Sequence, residues 1–394
     1  MMRPGTLTLP SLPPLSLYVH LPWCLRKCPY CDFNSHEYRD GRELGAETAR
    51  EYLAALRADL EAALPLVWGR PVVSVFIGGG TPSLFAPDQI AELISDLRAR
   101  LPLEPGCEIT MEANPGTFEK ERFAGFAQAG VTRLSIGVQS FDDRKLQALG
   151  RVHSGMQARA AIEEAARAFA TFNIDLMYAL PGQMLAELDE DLRLALSFEP
   201  PHLSVYHLTI EPNTRFANAP PEHLPDPDLA SEMLDLITAR TGERGMSRYE
   251  VSAYARDGHR CTHNTNYWQF GDYLGIGAGA HTKLSFAHRI LRQVRWRDPA
   301  TFMQKAAEDQ AVSNEHEVTR SELPFEFMLN ALRLREGVTM QSFLERTGLP
   351  PSAIAKAMEK GRAKGLLDPD PALIRATPRG FDFLSDLQEL FLAP

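Results

Sequence analysis

Short apolar runs alternate with amphipathic segments from residue 15 to about residue 240 of the chain. The apolar runs predict strands at Leu15–His20, Val72–Ile77, Glu108–Glu112, Arg133–Val138, Ile174–Met177 and His202–Tyr206. The segments after them predict helices at Thr48–Leu64, Pro87–Arg100, Phe118–Ala129, Gln157–Phe172, Leu185–Phe198 and Asp228–Thr241. Strand–helix units in succession indicate a parallel sheet with helices outside it. Because their crossovers are right-handed, a barrel or part-barrel is favoured, and a doubly wound sheet is kept as the alternative.

Most of the unusual polar motifs lie at the end of a predicted strand. Three cysteines follow the first strand, and the runs Gly78–Pro82, Glu112–Pro115 and Gln139–Ser140 lie at the ends of the next three. Asp175 lies within the fifth strand. Barrel enzymes build their sites from carboxyl-terminal strand ends, which share one mouth. The sequence therefore predicts an α/β fold with a partial (β/α)6 TIM-like barrel that gathers these side chains.

The pattern becomes irregular after about Thr241. Tyr249–Ser252 predicts an edge strand, and Cys261–His281 is rich in aromatic residues and glycines. Further on, the sequence predicts helices at Leu323–Arg335, Gln341–Arg346, Pro351–Ala363 and Pro378–Leu392, with a short strand at Leu373–Ala376. These elements indicate a small, mostly helical, winged-helix-like domain. The predicted organisation is an N-terminal extension (1–14), a barrel (15–245), an irregular extension (246–314) and a C-terminal helical domain (315–394).

Composition limits the classes of function. The net charge of −10 over 394 residues gives no support to nucleic-acid binding. The apolar runs have only strand length, and the first 14 residues carry neither an apolar core nor an Arg-rich helix. We therefore expect no membrane span and no export or transit signal. The expected location is the cytoplasm, with at most peripheral contact to a membrane.

A cluster of cysteines is the strongest chemical signal. Three of the five cysteines, Cys24, Cys28 and Cys31, form the pattern C-x3-C-x2-C. Thiolates bind zinc and iron–sulfur clusters, and structural zinc needs a fourth ligand nearby, for which His20 and His36 are candidates. The other two cysteines, Cys107 and Cys261, lie far from the triad and from each other. An iron–sulfur cluster with one open coordination position is favoured, and zinc stays the alternative.

Two further groups of residues have both a purely structural and a functional interpretation. Single polar residues at strand ends are usually helix caps or surface charges, but four in successive units could together bind a nucleoside cofactor. These four are Glu112, Gln139, Arg151 and Asp175. The segment Cys261–Trp268 places a histidine among amides and aromatic rings. It could ligate haem iron, or it could form a buried polar network with Trp268 in the core.

The cysteine triad, with Tyr30 before its third cysteine, resembles the radical S-adenosylmethionine superfamily. The resemblance implies a full or partial barrel and a [4Fe-4S] cluster on Cys24, Cys28 and Cys31. It also implies that S-adenosylmethionine occupies the open iron and is cleaved to a 5′-deoxyadenosyl radical. The implied contacts of S-adenosylmethionine are Tyr18, Gly79, Gly80, Thr81, Glu112, Gln139, Arg151 and Asp175. Thr81 stands where many relatives have glutamate.

Longer strings make the resemblance more specific. They are HLPWC, CPYCDFNSH, FIGGGTPS, MEANPGT, SIGVQSF, LGRVH, DLMYALPGQ, LTIEPNT and HNTNYW. Together they resemble the oxygen-independent coproporphyrinogen III oxidase family and, within it, the HemW-type branch. Oxidases of the family carry a further cysteine two residues after the third, where this chain has Phe33, and a longer segment before the first strand. The resemblance implies a haem motif at His263, Asn264, Tyr267 and Trp268.

The implied function is that of a haem chaperone. Such a protein binds haem and passes it to haem-dependent membrane enzymes of respiration, and a homodimer is a further expectation. The alternative is a coproporphyrinogen III oxidase that decarboxylates propionates by radical chemistry. Phe33 and the short N-terminus argue against that activity. No catalytic residue is assigned, and a radical enzyme with another substrate is a third interpretation.

Overall fold

The computed structural model describes residues 7–38, 44–116 and 122–392. The first residues of the predicted Phe118–Ala129 helix and of the predicted N-terminal extension lie outside these ranges. The strands are β1 (Leu15–Leu21), β2 (Trp23–Cys24), β3 (His36–Glu37), β4 (Val72–Gly79), β5 (Leu103–Ala113), β6 (Arg133–Gln139), β7 (Thr171–Tyr178), β8 (His202–His207), β9 (Ser247–Arg248), β10 (Ala253–Ala255), β11 (Asp272–Ile276), β12 (His281–Phe286), β13 (Arg289–Arg295), β14 (Val312–Glu317), β15 (Val338–Thr339) and β16 (Leu373–Ile374).

The helices cover the outside of the sheet and build the C-terminal region. They are α1 (Ala46–Val67), α2 (Pro87–Arg100), α3 (Phe123–Ala129), α4 (Asp143–Ala148), α5 (Gly155–Ala168), α6 (Leu185–Ser197), α7 (Arg215–Asn218), α8 (Pro227–Gly242), α9 (Thr262–Trp268), α10 (Pro299–Ala307), α11 (Leu323–Ala331), α12 (Met340–Thr347), α13 (Ala355–Ala363), α14 (Pro378–Asp382) and α15 (Leu384–Glu389). Within the described ranges, none has both the length and the apolar character needed to cross a bilayer.

The described strands form a sheet of twelve in the order β14-β13-β12-β11-β1-β4-β5-β6-β7-β8-β10-β9. The pairs from β1 through β8 are parallel, and β11 adds another parallel strand on the other side of β1. Antiparallel strands follow at both edges, so the barrel does not close on itself. Because the central strand order follows the chain without reversal, the predicted partial barrel is confirmed and the doubly wound sheet is not adopted.

Alternate residues of each central strand face opposite sides. On β1, Leu15, Leu17 and Val19 are fully buried and belong to the main apolar core, which the outer helices complete. The intervening residues, Ser16 and Tyr18, point into the barrel, where they bond to other polar side chains. The barrel is therefore apolar outside, against the helices, and polar inside.

Several element predictions were wrong in detail. The predicted strand Tyr249–Ser252 is the connection between β9 and β10. The predicted helix Gln157–Phe172 ends earlier, at Ala168, because β7 starts at Thr171. The segment 246–314 contains α9, α10 and strands that extend the sheet, which the apolar pattern did not reveal. The predicted domain boundaries stay predictions.

The C-terminal region has its own apolar core. Phe327, Phe343, Ile354 and Leu387 from four different segments are buried there together. The short strands β15 and β16 pair antiparallel beside the helices. The predicted C-terminal helical region is thus confirmed. Phe270, which follows α9, belongs to the same core and so connects this region to the barrel.

Candidate functional site

The cysteine loop begins where β1 ends and is held on the glycine run. The backbone N–H of Gly80 donates to Leu21 O at 2.8 Å, and that of Thr81 donates to Trp23 O at 2.7 Å. A side chain at Gly80 would place its Cβ 2.5 Å from Trp23 O. Close backbone approach therefore requires glycine there.

A second set of hydrogen bonds fixes the far end of the loop. His20 Nε2 lies 2.9 Å from Asn34 O, and its Nδ1 lies 2.9 Å from Tyr18 Oη. Asn34 Nδ2 donates to Ala278 O at 2.9 Å and to Arg297 O at 2.8 Å. Burial lowers the pKa of His20 to about 4, so this ring is neutral near pH 7. The predicted S-adenosylmethionine contact Tyr18 thus supports the loop through His20.

A chain of polar side chains joins two of the three cysteines. Thr81 Oγ1 donates to Cys24 Sγ at 3.4 Å, and Asn114 Nδ2 donates to Thr81 Oγ1 at 2.9 Å. Arg151 Nη2 donates to Asn114 Oδ1 at 2.7 Å, while its Nη1 lies 3.7 Å from Cys28 Sγ. Donors at cysteine sulfur tune iron–sulfur clusters and stabilise thiolates.

The donor set fits a [4Fe-4S] cluster. In residues 7–38, 44–116 and 122–392, no three His, Cys, Asp or Glu side chains converge on a position for a single metal ion. A cluster needs no such convergence, because each cysteine binds a different iron. Burial raises the pKa of Cys24 to about 11 and also raises that of Cys31. These two thiols must therefore release protons when they bind iron.

A cavity of about 360 Å³ lies directly beside the cysteines, inside the barrel. Predicted cofactor residues that line it are Gly79, Gly80, Thr81, Glu112, Gln139, Arg151 and Asp175, together with Cys24, Cys28 and Cys31. Tyr18 lies behind Phe76, with ring centroids 6.2 Å apart. The structure thus brings together residues from five strands, β2, β4, β5, β6 and β7, and from the segments that follow them, which the sequence separates by up to about 150 residues.

Two carboxyl groups, both only partly exposed, line this cavity. Glu112 Oε2 accepts the backbone N–H of Gly79 at 3.0 Å, and burial raises the pKa of Glu112 to about 7. Asp175 accepts from Ser135 Oγ at 2.9 Å and from Asn173 Nδ2 at 2.7 Å. Burial also raises the pKa of Asp175. Carboxyl groups with free lone pairs are suitable acceptors for the hydroxyl groups of a ribose.

Gln139 has a left-handed backbone, with φ of 68°. The pairing of β6 with β7 shifts register between Gly137 and Gln139, which turns the Gln139 side chain towards the mouth. Such conformations cost about 1–3 kcal/mol in a non-glycine residue and concentrate at functional sites.

Several polar residues that line the cavity were given no role from the sequence, among them Arg133, Ser135 and Asn173. These three lie on the inner faces of β6 and β7, at alternate positions between buried apolar residues. That two-residue alternation was the available signal, and it was hidden because the strands were recognised by their apolar residues alone.

The predicted haem motif lies on α9, at the opposite end of the barrel from the cysteines. His263 Nδ1 is 3.2 Å from Ser74 Oγ, near the start of β4, and His263 is only 3% exposed. Tyr267 stacks on Tyr273 with ring centroids 4.2 Å apart, and the guanidinium of Arg333 covers Trp268. Of the four motif residues, Asn264 lines the barrel cavity.

The histidine of this motif is buried and uncharged. Burial lowers the pKa of His263 to about 3. Its Nε2 has no hydrogen-bond partner in the described part of the chain. If Nδ1 donates to Ser74 Oγ, Nε2 carries a free lone pair, which is the form of imidazole that binds a metal.

Two family models match the chain. The radical SAM superfamily model matches residues 18–195, and the model of the HemN C-terminal domain matches residues 318–383. A solved structure, coproporphyrinogen III oxidase (HemN) from Escherichia coli, superposes with a TM-score of 0.81 at 24% identity. That superposition covers 96% of this chain and 90% of the oxidase, and it supports the assigned fold.

Curated relatives match over nearly their whole length. Heme chaperone HemW of Escherichia coli is 46% identical, over 97% of this chain and 99% of that protein. Heme chaperone HemW of Bacillus subtilis is 34% identical, over 88% of this chain and 92% of that protein. This chain belongs to the HemW family of the radical SAM superfamily.

Proposed function

We propose that this protein is a haem chaperone that binds haem and delivers it to haem-dependent membrane enzymes of respiration. The observation that carries the proposal is the sequence identity of 46%, over nearly the full length, to a protein named heme chaperone HemW. The exposed Phe33 at the cavity mouth supports it, since the resemblance places a further cysteine there in the oxidases. A cytoplasmic location and a homodimer stay predictions.

We further propose that Cys24, Cys28 and Cys31 hold a [4Fe-4S] cluster. S-adenosylmethionine, when bound to such a cluster, supplies a source of the 5′-deoxyadenosyl radical. The Arg151 guanidinium suits the carboxylate of its methionine part, because guanidinium and carboxylate groups match in geometry. Glu112 suits the ribose hydroxyls. The backbone of the glycine run suits the amino group because no side chain blocks its approach.

For haem, the proposed residues are His263, Asn264, Tyr267 and Trp268. His263 Nε2 is the proposed axial ligand. The ring lies against Phe76 of β4, with ring centroids 5.0 Å apart, and its Nε2 is buried, so iron can reach it only if α9 moves away from the barrel. Haem binding by this motif is therefore proposed to include a local opening of α9.

The experiment is an anaerobic titration of the cluster-loaded protein with haem, followed by Soret absorbance. A saturable Soret band is expected, and its absence would reject the chaperone proposal. His263→Ala should shift the band or weaken binding. The control is His316→Ala, because His316 is an exposed histidine on β14 and should leave the spectrum unchanged. An unchanged spectrum in His263→Ala would assign the axial ligand to another residue.

The alternative activity, oxidation of coproporphyrinogen III, is supported by the match to the HemN C-terminal domain. The same cluster-loaded protein is incubated with coproporphyrinogen III, S-adenosylmethionine and a reductant. Formation of protoporphyrinogen would establish the oxidase. A haem complex with a Soret band, in a protein that does not form that product, would favour the chaperone function.

A further inference from the structure

The cavity beside the cysteines extends through the barrel to the opposite end, which α9 covers. There it is lined by Thr110 of β5, Arg133 at the start of β6, and Asn264 of α9. These three residues are here called the barrel floor. They lie on the side of Glu112 and Asp175 that faces away from the cysteines, since Thr110 and Arg133 precede the mouth residues along their strands. The function proposed above assigns no role to Thr110 or Arg133.

Arg133 is a buried cation without a close counter-ion. It is 2% exposed, and its Nη1 donates to the neutral acceptor His259 O at 3.2 Å. Among the described residues, no carboxylate oxygen lies within 4 Å of this guanidinium. A buried charge is costly unless it is paired, and a guanidinium carries five donors. Arg133 therefore has donors available to a ligand in the cavity.

The nearby carboxylates have other partners. Glu108 Oε1 accepts the backbone N–H of Thr262 at 2.9 Å, at the start of α9. Asp175 accepts from Ser135 and Asn173. The Asp175 carboxyl also feels the charge of Arg133, but the two groups are too far apart to form an ion pair. Glu112 accepts from the backbone of Gly79. The floor is thus the part of the cavity where positive charge and free donors prevail.

Two neutral side chains add donors at the floor. Thr110 is 1% exposed, and its Oγ1 has no hydrogen-bond partner in the described chain. The Asn264 amide lines the same space, and no side-chain hydrogen bond to it is found within the described ranges. Buried hydroxyl groups are normally paired, so the unpaired Thr110 hydroxyl beside a cavity indicates a ligand, and the partly exposed Asn264 amide is available to the same ligand.

We propose that the barrel floor is a carboxylate-binding site, in which Arg133 binds the two carboxylate oxygens and Thr110 and Asn264 donate further hydrogen bonds. A planar oxyanion matches the guanidinium fork and takes up the free hydroxyl and amide donors. The cavity also holds the cofactor residues, so only a small group fits at its floor. The carboxylate comes either from a free small carboxylate or from a propionate arm of haem, and the second source rests on the proposed function.

The first arm of the test needs no haem. Full-length, cluster-loaded protein with S-adenosylmethionine is dialysed to equilibrium against radiolabelled propionate, with propionamide as the uncharged competitor. Saturable propionate binding that propionamide does not compete is expected. Thr110→Val should weaken it roughly tenfold, as loss of one hydrogen bond to a charged group predicts. Arg133→Lys should weaken it more, because lysine lacks the planar fork.

The control is Thr241→Val, which removes a buried hydroxyl that bonds to Ile237 O in α8, away from the cavity. It should leave propionate affinity unchanged. Circular dichroism and thermal melting show whether each variant folds, and Thr110→Val tests the site even if Arg133→Lys does not fold. Absence of saturable binding to the wild type, or wild-type affinity in folded Thr110→Val, would overturn the proposal.

The second arm identifies the source. Haem and haem dimethyl ester are titrated into the wild type with and without propionate. If propionate weakens haem binding but not ester binding, the floor receives a haem propionate. If propionate binds and neither titration changes, the floor takes a free carboxylate. Failure of haem to bind at all would reject the chaperone function and leave the result of the first arm standing.

Discussion

Replacing Glu112 by glutamine should stabilise the protein without ligands at neutral pH. Glu112 lines the cavity and is only partly exposed, and burial raises the pKa of its carboxyl from 4.5 to about 7, with Asp175 adding repulsion. Its Oε2 accepts the Gly79 N–H at 3.0 Å, and a glutamine carbonyl keeps that hydrogen bond. Glutamine removes the charge and little else.

The magnitude follows from proton linkage. Between pH 4.5 and about 7 the folded protein keeps a proton that the unfolded chain has released. Stability therefore falls as the pH rises through this window. At 1.36 kcal/mol per pH unit, the full loss is about 3 kcal/mol above pH 7. The Glu112→Gln variant lacks this loss, so its advantage over the wild type should grow by about 3 kcal/mol from pH 4.5 to pH 7.5.

The assay is urea denaturation of both proteins without cluster or cofactor, at several pH values from 4.5 to 8. Other titrating groups occur in both proteins and largely cancel in the difference between the free energies of unfolding. The control is Glu190→Gln, because Glu190 lies on the surface and pairs with Arg193. A difference between Glu112→Gln and the wild type that stays constant with pH would refute the reasoning.

Three further predictions test the site. Replacing any one of Cys24, Cys28 and Cys31 by serine should abolish the visible absorbance of the reconstituted cluster. The control variant Cys107→Ser should keep that absorbance. Arg151→Met should weaken S-adenosylmethionine binding about 10–100-fold in calorimetry on cluster-loaded protein, since it removes donors to a charged group, and the exposed Arg144→Met is the control. Asn34→Ala should lower the free energy of unfolding by about 1–3 kcal/mol in urea denaturation, because two backbone carbonyls lose their donor.

The fold was predictable where local pattern and tertiary contact agree. The Pro87–Arg100 helix matches its predicted bounds, because proline at its start and apolar residues at helical spacing act within one segment. The strands β11, β12 and β13 were missed. Their buried residues include charged ones such as Lys283 and Arg295, whose pairing with Asp272 and Asp59 exists only in the folded chain.

The mouth of the site was predictable for a related reason. Parallel strands bring their carboxyl ends to one edge, so the positions of Glu112 and Asp175 in the sequence determine that they meet. The position of α9 was not predictable. It depends on Asn266 Nδ2, which donates to Ser16 Oγ at 2.9 Å, and on Glu108 at the start of the helix. Such contacts between distant segments leave no local periodic signal.

The open barrel explains why its interior is polar. A closed eight-stranded barrel fills its interior with packed side chains. This partial barrel instead contains a cavity, with the cysteine loop at one end and α9 at the other. A series of buried hydrogen bonds runs along this cavity. Asp175 accepts from Asn173, whose Oδ1 lies 2.6 Å from His202 Nδ1. His202 Nε2 lies 2.9 Å from Tyr249 Oη, which accepts the backbone N–H at the start of α9. A ligand on Asp175 and a movement of α9 therefore act on the same hydrogen bonds.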